Sequence, residues 1–209
     1  SIIESYQHPS IKLISEPDTG MYDALAKGLK IASGDIVSYL NAGDIYHKCA
    51  FDIVLDIFET KSVEWLTGYN IIYNEKSYII HYNLPFKYRK RLFACGLYCH
   101  LLPFVQQEST FWSIALHRFI DFDKLSSFSL AGDYFLWLQF SKKTELKIVA
   151  AQLGGFKSHI GQLSENIKTY HSEVQEIVKK PMPWDYVMAG FDHLIWSLGT
   201  RILKKSFNK

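Results

Sequence analysis

Between Thr19 and Leu66 the chain changes its hydrophobic period from helical to extended twice over, and this alternation confines it to few folds. Met21, Ala24, Leu25, Gly28, Leu29 and Ala32 recur at i, i+3 and i+4 and predict a helix, with Asp18 or Thr19 to cap its start and Gly34 to end it. Ile36-Val37-Ser38-Tyr39-Leu40 reads as a buried strand. Ala50, Ile53, Val54, Ile57 and Phe58 share the face of a second helix, and Val63–Leu66 supplies the next strand. Helix, strand, helix, strand in this order predicts an α/β fold with a mostly parallel sheet and crossover helices. A chain of 209 residues suits one such domain with a full core, and 48% hydrophobic against 21% charged residues excludes a disordered chain.

The flanking segments extend the pattern. Residues 1–7 read as the end of a helix, so the sequence opens as if inside an element, and Ile11–Ile14 reads as a short strand. Asn70–Tyr73 and Ser77–Tyr82 predict a hairpin around Asn74-Glu75-Lys76. Pro85–Cys99 is basic and aromatic, read as helix plus loop. Helices are expected over Phe111–Phe119 and Leu130–Phe140, a strand over Leu146–Ala150, and a loop or hairpin over Gly154–Ser164. A helix to about Lys179 follows. Pro181-Met182-Pro183 breaks it before a last amphipathic helix, Asp185–Phe207.

A net charge of +2 is too small to imply nucleic-acid binding, although Lys87, Arg89, Lys90 and Arg91 cluster, as do Arg201, Lys204, Lys205 and Lys209. Three cysteines, Cys49, Cys95 and Cys99, are an odd set without CxxC spacing. They argue for buried thiols in a reducing compartment, and against a disulfide framework or a zinc knuckle. No apolar run reaches membrane-spanning length, and no signal peptide opens the sequence.

Four places can carry chemistry. Asn41-Ala42-Gly43-Asp44 is a polar, acidic turn directly after a buried strand, where open α/β sheets bind ligands. There Asp44 either holds a divalent cation through oxygen or caps the next helix, and both readings stand. Asp133, in Ala131-Gly132-Asp133-Tyr134, sits at a helix start among apolar residues. Desolvation would raise its pKa and suit a general base, while the helix dipole alone also accounts for an acid there. Gln106-Gln107-Glu108-Ser109-Thr110 is a polar string between apolar neighbours, and amide and carboxylate groups so placed suit a hydroxyl-rich ligand. His159 has Lys157 nearby, which makes an anionic ligand conceivable, but no second His at metal spacing.

Together these stretches resemble the family 2 glycosyltransferases, inverting enzymes of bacterial surface-polysaccharide assembly. Ser15-Glu16-Pro17-Asp18-Thr19-Gly20-Met21-Tyr22-Asp23-Ala24 with Lys27-Gly28 resembles the family's SEPDxGxYDA segment. Gly34-Asp35-Ile36 through Asn41-Ala42-Gly43-Asp44 is similar to the strand that ends in its DxD-like metal motif. Trp65-Leu66-Thr67-Gly68, Gln106-Gln107-Glu108-Ser109-Thr110-Phe111-Trp112, Leu130-Ala131-Gly132-Asp133-Tyr134 with Trp137, and Phe156-Lys157-Ser158-His159 through Gln162-Leu163-Ser164 resemble the WLTG, QQESTFW, AGDxxLW and FRxHxGQxS segments of one subgroup. The resemblance covers about residues 1–175. Asn41 and Gly43 stand where the family usually has acids, Ala26 where it often has Asn, and Lys157 where it often has Arg.

The resemblance implies a three-layer α/β/α GT-A fold. It implies a catalytic domain over 1–180, incomplete at its N-terminus because the family's opening strand-helix-strand unit needs roughly 30 residues, and a basic amphipathic helix over 181–209. The donor would be a nucleoside diphosphate sugar, held by Asp18, Tyr22, Asp23, Lys27 and Asn41, with Mg²⁺ or Mn²⁺ on Asp44. Asp133 would be the catalytic base. Gln107, Glu108, Trp137, His159 and Gln162 would lie near the sugar, the acceptor or the diphosphate. The acceptor would be a glycan or lipid-linked hydroxyl, met in the cytoplasm or at the inner face of the plasma membrane, where the last helix either lies on anionic lipid or packs on the domain. Two rivals remain: a non-catalytic carbohydrate- or nucleotide-binding relative, and a phosphoryl-transfer enzyme or hydrolase using Asp44 and Asp133, disfavoured because no P-loop is present.

Overall fold

The computed structural model describes residues 2–6 and 8–206, and side chains at 3, 5–6 and 8–198. Helices are α1 (Ile2–Ser5), α2 (Met21–Ile31), α3 (Ala50–Thr60), α4 (Lys90–Ala94), α5 (Phe122–Ser126), α6 (Gly132–Ser141), α7 (Ile167–Ile177) and α8 (Pro183–Ser206). Strands are β1 (Ile36–Val37), β2 (Ile45–Tyr46), β3 (Trp65–Thr67), β4 (Asn70–Tyr73), β5 (Ile79–Asn83), β6 (Thr110–Ser113), β7 (Lys147–Ile148) and β8 (Gly154–Lys157). They form two four-stranded sheets, ordered β1-β6-β3-β7 and β2-β8-β4-β5.

The α/β class expected from the alternating pattern is present, but the sheets are mixed. Only β3 with β7 and β4 with β8 pair in parallel; the other four pairings are antiparallel. The two parallel pairs are consecutive. The segments that carry them run side by side from one sheet into the next, tied between the sheets by Val149 N–H to Thr67 O (2.9 Å) and Tyr69 N–H to Ala151 O (3.0 Å). Gly68 lies at this crossing because a Cβ there would come within 2.4 Å of the Ala151 carbonyl oxygen.

Period-two alternation decides what each face of the first sheet packs against. Trp65 on β3 and Trp112 on β6 join Trp137 and Phe140 of α6. Their neighbours Leu66 and Phe111 pack with Ala50 and Val54 of α3. Helices therefore cover both faces. α6 is buried on nearly every side, as a helix apolar all round must be.

Several local expectations are corrected. Ile11–Ile14 forms no strand; Ile11, Leu13 and Ile14 are exposed and have no ladder partner among the described residues. The strand expected over residues 36–40 is only Ile36–Val37, and β2 follows it unforeseen. The helix expected over 111–119 is first a strand, because Thr110, Phe111 and Trp112 are β-branched or aromatic and alternate between the two cores. Only Ile114–Phe119 coils, as a 3₁₀ turn capped by Ser113 Oγ, which accepts from Ala115 N–H. Gly154–Lys157 is a strand inserted between β2 and β4.

The last helix docks by its inner face. Arg89 makes a two-pronged ion pair with the fully buried Asp192 at 2.6 and 2.7 Å, and Arg91 pairs with Asp185. Trp196 stands edge-on to Tyr88. Trp184, Val187, Phe191, Leu194 and Leu198 form an exposed outer face. The side chains of Arg201, Lys204 and Lys205, and all of Lys209, lie outside the described residues. No helix among the described residues is long and apolar enough to cross a membrane.

Candidate functional site

A cleft of about 700 Å³ opens between α2, α6, α7 and the second sheet. Its floor carries acids from three separate segments.

Asp133 enters from the first turn of α6. Its Oδ1 accepts from its own helix at Tyr134 N–H (2.7 Å) and from the Tyr170 hydroxyl of α7 (3.0 Å). Burial pushes its pKa up to about 6, against the opposing pull of hydrogen bonds from Tyr134, Tyr170 and Tyr22. Glu173, one turn along α7 from Tyr170, accepts from the backbone N–H groups of Ser129, Leu130 and Ala131 at 2.7–2.9 Å, so α7 also clamps the segment leading into α6. Gly132 is required here, since a Cβ would strike the Tyr22 ring at 2.3 Å.

Asp44 ends the Asn41–Asp44 turn, closed by Asp44 N–H to Asn41 O (3.1 Å) with Gly43 at φ 100°. It caps no helix. Its Oδ1 accepts from Lys157 N–H at 2.8 Å, which joins the turn to β8. Beside it lies Glu108, presented by the 3₁₀ turn Gln107–Ser109 and only 3% exposed. Two carboxyl groups so close cannot both ionise out of water. Burial first, and then the neighbouring Asp44, push Glu108 up to about 8; burial raises Asp44 as well.

The polar string 106–110 divides its labour. Gln106 pairs through both amide atoms with the backbone of Ile71, Ser109 Oγ reaches the carbonyls of Tyr69 and Gly154, and Thr110 Oγ1 donates to Gln106 O. These three build the wall. Gln107 and Glu108 face the cleft, with Gln107 Nε2 donating to Glu108 Oε1 at 2.5 Å. Gln107 Oε1 and Asn70 Oδ1, of two residues on the cleft wall, are buried with no hydrogen-bond partner among the described residues.

Among the residues expected at a binding site, Tyr22, Asn41, Asp44, Gln107, Glu108, Asp133, His159 and Gln162 line this one cleft. His159 is exposed at its mouth, in a loop that Gln162 closes by accepting from His159 N–H and donating to Lys157 O. Asp18, Asp23 and Lys27 do not line it. They knit the turn before α2: Asp18 accepts from Gly20 N–H, Asp23 from Thr19 N–H, and Lys27 bridges Glu16, Asp23 and the Pro17 carbonyl. Trp137, expected near the sugar, is corrected to a core residue, 1% exposed and stacked on Trp65 at 5.6 Å.

Tyr170, Asn70, Tyr39, His81 and Phe104 also line the cleft without having been foreseen. Tyr39 and Phe104 come in beside the Asn41 turn and the Gln106 string, whereas Tyr170, Asn70 and His81 arrive from segments distant in sequence. A second concavity, of about 680 Å³, is lined by Lys87, Arg89, Arg91, Lys142 and Lys143 and holds none of the three acids.

The cleft's chemistry is one-sided. Among the described residues no Lys or Arg lines it. Three carboxyl groups and two unpartnered carbonyl oxygens all accept hydrogen bonds. Such a lining suits a ligand rich in hydroxyl donors, or a hard divalent cation, which takes oxygen ligands. Compared with known proteins, the chain matches no family model and no curated protein.

Proposed function

We propose that the cleft binds a nucleoside diphosphate sugar and transfers its sugar, with inversion, to a hydroxyl of a glycan or lipid-linked acceptor, as a GT-A enzyme of the family 2 type. The observation that supports this best is a cleft lined by three carboxyl groups, a basic Asp133 and the Asp44–Glu108 pair, with no Lys or Arg among the described residues.

The residues fit Mg²⁺ or Mn²⁺. Asp44 and Glu108 offer two carboxylates that burial forces to keep a proton between them, and Asn41 adds a carbonyl oxygen at the same wall. Glu108 thereby supplies the second acid that the Asn41-Ala42-Gly43-Asp44 turn lacks. A bound cation would neutralise the departing diphosphate, a charge for which the lining offers no Lys or Arg among the described residues. Asp133, at about 6, is mostly ionised at neutral pH and basic enough to take the acceptor's proton. Tyr170 holds that carboxylate in place. Gln107 and Asn70 orient sugar hydroxyls through their unpartnered oxygens. The reading extends to a cytoplasmic protein that meets lipid-linked acceptors at the membrane surface, with the outer face of α8 turned to it.

The test is thermal unfolding with a panel of nucleoside diphosphates and Mn²⁺, beside Asp44→Ala and Asp133→Asn, with a transfer assay for the latter. The expected result is a shift that needs nucleotide and metal together, is lost in Asp44→Ala, and persists in Asp133→Asn while transfer disappears. Retained transfer in Asp133→Asn would sink the base assignment. The absence of Lys and Arg from the lining among the described residues favours a second reading, a non-catalytic glycan-binding module, which a shift with glycan but with no nucleotide would mark.

A further inference from the structure

The turn after α4 and the middle of α7 bring a thiol and two imidazoles together outside the lining of the cleft. Cys99, His100 and His171 each offer one ligand atom, and these atoms all lie within 4.8 Å of one another. We propose that they form a binding site for a thiophilic divalent cation of the zinc class, distinct from any Mg²⁺ or Mn²⁺ site at Asp44.

The donor set argues for this class. One sulfur and two imidazole nitrogens are soft to borderline ligands, suited to zinc and poorly suited to Mg²⁺, which takes oxygen. A tetrahedral zinc with bonds of roughly 2.0–2.3 Å needs its ligand atoms about 3.5 Å apart. The cluster is therefore open by about an ångström, a rotamer adjustment for the exposed His100. Three protein ligands leave a fourth position for water.

The scaffold holds the other two in place. His171 Nε2 stands 2.8 Å from the Cys99 carbonyl oxygen. A carbonyl only accepts, so Nε2 carries the proton and the free lone pair of the ring is on Nδ1. Imidazole ligands are commonly oriented through such a bond from the second ring nitrogen. Gly96, at φ 76°, lets the turn press against Val174 and Val178, and Lys179 N–H donates to the Ala94 carbonyl. The His100 and His171 rings lie 4.1 Å apart, and His100 makes no ring hydrogen bond among the described residues. An occupied site would fasten α7 to this turn one residue from Tyr170, whose hydroxyl holds Asp133.

The test uses the full chain with Cys49→Ser, which removes the one thiol that is not buried. Zn²⁺ is titrated by calorimetry, and Co²⁺ by its thiolate charge-transfer band. One equivalent should bind, the band should appear, and a hundredfold excess over Kd should raise the Tm by about 5–10 °C. His100→Ala and Cys99→Ser should weaken binding at least about tenfold, with unchanged circular dichroism. Asp44→Ala should bind Zn²⁺ as before, whether or not the cleft is catalytic. No band and no shift in the folded protein would overturn the proposal, as would equal affinity in His100→Ala and Cys99→Ser, or loss of binding in Asp44→Ala.

Discussion

Replacing Glu108 by Gln removes one ionisable group and almost no volume, and its consequence can be worked out from the structure. In the folded protein this carboxyl sits at about 8, against an ordinary 4.5. Between those values the folded state binds more protons than the unfolded chain, so stability falls as pH rises. Asp133, raised from 3.8 to about 6, gives a loss of the same sign, but at lower pH. His100 and His117, lowered by burial from 6.5, cost stability only as pH falls through that value. Cys95 and Cys99, raised from 9.0, matter only in more alkaline solution. The window from pH 6.5 to 8 therefore reports the Asp44–Glu108 pair. At roughly 1.4 kcal/mol per pKa unit, and allowing for the onset of ionisation near 8, the loss across it is about 2 kcal/mol. For a domain of this size the Tm should drop by about 3–7 °C. In Glu108→Gln the same window should be flat. Added Mn²⁺ should flatten the wild-type curve too, because a cation replaces the shared proton, and should leave the variant unmoved. The assay is urea unfolding at half-unit pH steps with the m-value held in view. An identical slope in both proteins would refute the account of the paired carboxyls.

Two further outcomes follow from packing and charge. Arg89→Ala strands the fully buried Asp192 and should cost about 3–5 kcal/mol in urea unfolding; Arg89→Met with Asp192→Leu should recover most of it. Gly154→Ala drives a Cβ to 1.9 Å from the Glu108 carbonyl oxygen, so it should cost about 1–3 kcal/mol or more and, by moving the Glu108 backbone, weaken any Mn²⁺ effect on stability.

Much of the framework was legible because it is written in periodicity. α2, α3 and α6 fall close to their predicted places, and the β4–β5 hairpin turns where Asn74, Glu75 and Lys76 said it would. What sequence alone could not give was pairing. Alternation of helix and strand suggests parallel neighbours, yet β6 enters antiparallel between β1 and β3, since a strand's direction depends on where a long connection returns. Phe111 and Trp112 read as a helix face because a short, mostly apolar stretch fits either period; only their division between two cores decides it. In the cleft, Asp133 stood out as an acid among apolar residues, Asp44 as the end of a polar turn after a buried strand, and Glu108 as part of a polar string between apolar neighbours. The closeness of Asp44 to Glu108, 64 residues on, has no local trace, and neither does the meeting of Cys99 with His171. Trp137 shows the converse: a residue with a strong motif around it that the fold spends on the core.

The double engagement of α7 gives the cleft a clock. Tyr170 holds Asp133 from this helix, and Glu173 occupies the amide protons of Ser129, Leu130 and Ala131. Those protons can be lost to solvent when Glu173 lets go of them, by a turn of its side chain or a lift of α7, and a lift of the helix also parts Tyr170 from Asp133. Deuterium uptake at residues 129–131 thus times how often the chamber breathes, without any ligand being known. A compound that seats between α6 and α7 should slow that uptake before it alters anything else that can be measured.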